Sequence, residues 1–108
     1  MSDDYASYVR DVMFTAPVCG WMRRLVREML RVLWREGVVV DYIWFSMSDV
    51  RKDRKYVSMS AIAVDTDDEE VEAVARWEYD SDKVHTPTSK HWVLSDVELR
   101  DLPEGFVS

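Results

Sequence analysis

Amide side chains are missing from this chain: its 108 residues include no asparagine and no glutamine. Amides deamidate when hot, and hyperthermophile proteins carry fewer of them. A thermophilic source is therefore one expectation. A GC-rich genome is the competing account, and it also explains ten Arg against four Lys. Cysteine is scarce too. The single Cys19 excludes an internal disulfide and suits a reducing, cytoplasmic setting, where a free cysteine is usually a small buried apolar residue. Gly20, Gly37 and Gly105 lie too far apart to form a phosphate-cradling loop. No apolar run nears the roughly 18 residues that span a bilayer. The start, Met1-Ser2-Asp3-Asp4, is acidic and leads into no hydrophobic secretory segment. No membrane partner is expected.

What is present points to a folded domain. A composition 47% hydrophobic and 12% aromatic argues for a folded globule rather than a disordered acidic tail, and 108 residues are expected to make one domain, 1–108. Charge is divided unevenly along it. Residues 1–60 hold ten Lys and Arg against eight Asp and Glu, a net of +2; residues 61–108 hold four against thirteen, a net of −9, giving −7 overall. Arg23, Arg24, Arg27, Arg31 and Arg35 fall within thirteen residues, and nine acids fall between Asp65 and Asp82. Charge separated in this way sets up a field with a direction, which steers partners or pairs subunits.

Hydrophobic periodicity sets the elements. Tyr5, Tyr8, Val9, Val12 and Met13 recur at helical spacing and predict a helix over 4–13. A second helix is expected from about Pro17 to Glu36, ended by Gly37. Its apolar arc runs through Trp21, Met22, Leu25, Val26, Met29, Leu30, Val32 and Leu33, and the arginines lie opposite. From Val38 the period becomes two. Strands are expected over 38–47, 56–64, 71–79 and 91–99, with a charged turn at 48–54 and a polar loop at 80–90. One conflict arises at Thr66-Asp67-Asp68-Glu69, a capping-box pattern that would make 67–78 helical instead of strand. Trp77 decides for the strand, because it leaves the helical apolar face but sits on the strand's. The expected fold class is α+β: two N-terminal helices on one face of a mostly antiparallel four-stranded meander.

The arginine stripe Arg24, Arg27, Arg31, Arg35 has the bidentate forks that grip phosphates or carboxylates. The bland account is a solvated face tied by Glu28 to Arg24 and Arg31. The acidic run Asp65 to Glu72 lacks the glycine and terminal glutamate spacing of a calcium loop; it imitates a phosphate backbone or simply keeps a turn soluble. His85 and His91 flank Pro87 near Asp80 and Asp82, a weak metal or catalytic arrangement matching no known ligand spacing. Ser58, Ser60 and Cys19 have no nucleophile-elbow context. No cofactor motif is present. The five tryptophans exceed what so small a core needs, and three of them are expected inside. Trp34, Tyr42, Trp44, Trp77 and Trp92 are the candidates for a contact surface.

These readings favour a small acidic cytoplasmic binding protein acting by protein–protein contact as an inhibitor, adaptor or assembly subunit, and self-associating as a dimer. A nucleic-acid binder using the arginine helix is the first alternative. A metal-dependent enzyme using His85 and His91 is the second, and an enzyme is the less favoured class.

Overall fold

Helix α1 spans Ser2–Thr15 in the computed structural model, which describes residues 2–16, 18, 20–50, 55–79 and 92–102, with the backbone alone at 2, 3, 21, 45–50 and 55. Val12 and Met13 on its inner stripe are buried, and Tyr8 and Val9 pack against the same core. Arg23 then reaches back across the connection, its Nη2 donating to the Met13 carbonyl at 3.1 Å and so satisfying a group the helix end leaves open.

Helix α2 covers Arg23–Arg35 and is entered through a 3-10 turn, Gly20–Met22. The regular helix thus begins six residues after the expected start at Pro17. The chain explains the delay. No Ser, Thr, Asp or Asn stands between 17 and 22, and Met22 at the cap position makes no side-chain bond. Leu25, Val26, Met29, Leu30 and Leu33 are buried, each worth about 1.5–3 kcal/mol relative to exposure. The helix stops as its glycine predicts. Gly37 takes φ 80°, its N–H donates to the Trp34 carbonyl, and the Val38 N–H donates to the Leu33 carbonyl.

Four antiparallel strands follow in chain order across the sheet: β1 Val39–Val50, β2 Lys55–Val64, β3 Glu70–Glu78 and β4 Val93–Arg100. The fold is α+β, as its periodicity implies. Strand β1 extends three residues past the expected end at 47, and the loop over 80–90 lies outside the described residues. The competing helix over 67–78 does not form. Asp65, rather than Thr66, takes the capping role: its Oδ1 accepts the N–H groups of Asp67 and Glu69 at 2.9 and 3.0 Å. Asp68 adopts φ 62°, and the Asp65 N–H donates to the Glu69 carbonyl. That closes a hairpin between β2 and β3 before a helical turn can propagate.

Two bulges interrupt β1, where Asp41 and Trp44 are extra residues against β2. The first lets Val40 and Ile43 both join the core although they are three apart. Beneath the helices the sheet centre is made of small residues: Ala61 opposite Ala73, Ala63 opposite Val71, and Ala75 opposite Met59, all but Val71 at zero exposure. This floor leaves room for the Leu and Met side chains of α2. Trp77 closes one end of the core, also at zero exposure. Tyr8 anchors α1 to β1, its Oη accepting the Val40 N–H at 2.8 Å. Burial, with smaller contributions from Tyr5 and Asp41, pushes the Tyr8 phenol up to about 12 against the opposing effect of the Val40 bond.

The opposite sheet face carries no helix among the described residues. Across β2 and β3 it carries buried Ile62 and Glu72, half-buried Ser58 and Ser60, and exposed Arg76. Arg76 lies 4.4 Å over the Tyr56 ring. The first helix therefore does not cover this face.

Candidate anion-binding helix face

Arg24, Arg27 and Arg31 stand at intervals of three and four on α2, so they share one side of the helix. All three are exposed, and with Tyr5, Glu28 and Trp92 they line a cleft of about 320 Å³. Arg35 is exposed one turn beyond it.

The charge here is unbalanced. Glu28 is the carboxylate expected to tie the arginines down, but its Oε1 accepts the Trp77 indole N–H at 2.7 Å. Among the described residues none of Arg24, Arg27, Arg31 and Arg35 forms an ion pair. Like charges at these spacings destabilise a helix by roughly 0.2–0.5 kcal/mol per pair. The first turn of α2 holds Arg23 and Arg24 and no acid, so these cations stand at the end of the helix that is already positive. Both effects favour an incoming anion.

A second, apolar groove adjoins the cleft and shares Tyr5 and Arg27 with it. It has about 560 Å³, and Val9, Met13 and Phe14 line it between Arg10, Arg23 and Arg27. Sequence patterning missed this groove. The signal was Phe14, which falls off the buried stripe of α1 and is 88% exposed.

The other candidates divide. Trp77 and Trp92 are interior, Trp92 meeting Tyr79 edge-on at 4.6 Å and forming part of the wall of the arginine cleft. Trp34 is 38% exposed but occupied, stacked on Tyr8 at 5.0 Å and beside Tyr5 at 5.3 Å. Tyr42 and Trp44 are 41% and 38% exposed on β1. Cys19, His85 and His91 lie outside the described residues, as does the side chain of Trp21. Among the described residues no three His, Cys, Asp or Glu side chains gather as a metal site, and no helix is long and apolar enough to cross a membrane.

No family model, curated protein or solved structure matches the chain. The chemistry of the cleft is therefore argued from its own residues. Guanidinium forks bind carboxylate or phosphate in pairs of parallel hydrogen bonds, and three of them on one ridge suit a ligand with several negative groups.

Proposed function

We propose that this is a small binding protein acting by protein–protein contact, whose arginine cleft receives a carboxylate-rich surface of a partner. One observation carries the reading. Arg24, Arg27 and Arg31 line a single cleft in which, among the described residues, Glu28 is the one carboxylate, bonded to Trp77 rather than paired with an arginine, so three cations face one anion. A protein partner is favoured over nucleic acid by the net charge of −7, which repels a long polyanion beyond the contact itself. Self-association belongs to the same proposal, since a second copy brings its own acidic half.

The test compares poly-glutamate, duplex DNA and single-stranded RNA at low salt, with wild type and Arg27→Glu/Arg31→Glu. Poly-glutamate should bind, weaken with added salt, and lose at least tenfold in the charge-reversed variant. Tighter binding of DNA or RNA than of poly-glutamate turns the reading to nucleic acid. Light scattering of the pure protein tests self-association, and a monomer at high micromolar concentration ends that part.

A further inference from the structure

Phe14 is a large apolar ring that the fold does not use. It is 88% exposed, one residue beyond the buried pair Val12 and Met13. Folding alone gives no reason for phenylalanine at this position. Its surroundings do. It borders the apolar groove lined by Val9 and Met13, and among the described residues the charged side chains lining that groove are Arg10, which pairs with Asp11 at 3.9 Å outside the lining, Arg23 and Arg27.

We infer that this groove seats the apolar face of an acidic amphipathic helix from the partner, continuing the contact made by the arginine cleft. The inference rests on the arginine reading and extends it. An occupant of this groove needs non-polar side chains for the floor and carboxylates for the rim, because neither alone matches the lining. The occupant's own backbone must also be satisfied. The groove lies along α1, and the residues lining it belong to helices rather than to a strand edge. A helix, which bonds its own backbone, meets that demand; an extended strand does not. The groove follows α1 from Tyr5 to Phe14, roughly 13 Å at 1.5 Å per residue. That length accepts apolar anchors over about two helical turns, at i, i+4 and i+7. Shared Tyr5 and Arg27 make the two clefts one surface, apolar at one end and cationic at the other. Such a pairing of apolar centre with arginine is typical of protein interfaces.

The experiment uses two peptides of equal length. One is a side-chain-stapled helix with leucine at i, i+4 and i+7 and glutamate elsewhere; the other is poly-glutamate. The leucine peptide should bind at least tenfold more tightly to wild type. Phe14→Ser and Ala6→Glu change exposed positions of α1 and leave the core intact. Both should bring the leucine peptide down toward the poly-glutamate affinity, while Phe14→Ser leaves poly-glutamate binding as it was. Equal affinities for the two peptides overturn the helix inference and leave the arginine reading standing. A preference that survives Phe14→Ser overturns it too. Failure of both peptides to bind ends the arginine reading and this one together. A wild-type dimer that Phe14→Ser dissociates assigns the groove to a second copy instead, which also overturns a separate partner.

Discussion

Trp77 and Glu28 stand 49 positions apart in the chain, yet the indole N–H of one donates to the carboxylate of the other at 2.7 Å. The bond fastens β3 to α2 and directs one oxygen of Glu28, the only carboxylate of the arginine cleft among the described residues, to the indole rather than to an arginine. Glu28→Ala leaves the fully buried Trp77 donor without its acceptor, at a cost of about 1–3 kcal/mol. Glu28→Gln keeps an acceptor and should melt close to wild type. Both remove the negative charge and should bind poly-glutamate more tightly. Thermal melts with titrations check this, and a Glu28→Ala protein as stable as wild type contradicts it.

Tyr8 gives the domain an alkaline limit. Its phenol is raised from 10.0 to about 12, so the folded state favours the neutral form. That contribution is complete below about pH 10 and declines as pH rises toward 12. Tyr8→Phe should flatten the decline between these values. It should also lower stability at neutral pH, because the Val40 N–H loses its acceptor. Denaturant midpoints measured from pH 8 to 12 decide it; parallel curves for the two proteins rule out Tyr8 as the source.

Where helix meets hairpin, a methyl group sets the fit. A Cβ added at Gly37 would lie 2.9 Å from Thr66 Cγ2, and Gly37 holds φ 80°. Gly37→Ala should therefore cost about 1–2 kcal/mol from the left-handed backbone alone, plus the clash. Thr66→Ser removes that methyl. In the double variant only the backbone part should remain, so the two changes should not add. Additive losses in chemical denaturation would show that the close approach is unimportant.

Much of this arrangement was legible in the chain before any coordinates. Gly37 marked the end of α2, and alternation around Trp77 placed β3 against a local helix signal. Burial of that ring outweighed the capping pattern, as tertiary packing commonly outweighs local preference. Less legible were events that depend on distant partners. Nothing near Glu28 says that an indole from β3 will claim it, and nothing near Asp65 says that its carboxylate will cap a turn ahead of Thr66. The arginine stripe was plain from spacing. That its arginines form no ion pairs among the described residues is visible only in the fold, where Glu28 bonds to Trp77.

Asp65 holds the β2–β3 hairpin closed. Asp65→Ala removes the acceptor for two backbone N–H groups and should cost about 0.5–2 kcal/mol, whereas Asp65→Asn retains one oxygen and should lose less. Amide exchange near residues 63–71 should speed up in the alanine variant first. Equal effects of Asn and Ala would mean that charge, and not the turn bonds, is what matters here.

The slipped pairing along β1 has a consequence for how this chain can shorten. Excising Asp41 would bring Val40 and Ile43 to ordinary two-residue alternation, each still aimed inward and each still opposite Ala63 and Ala61. The strand would straighten beside Tyr8 without exposing an aliphatic side chain. Strand β2, whose pairing with β3 runs unbroken from Tyr56 to Val64, has no such spare residue. Losing one residue there would turn everything beyond it inside out.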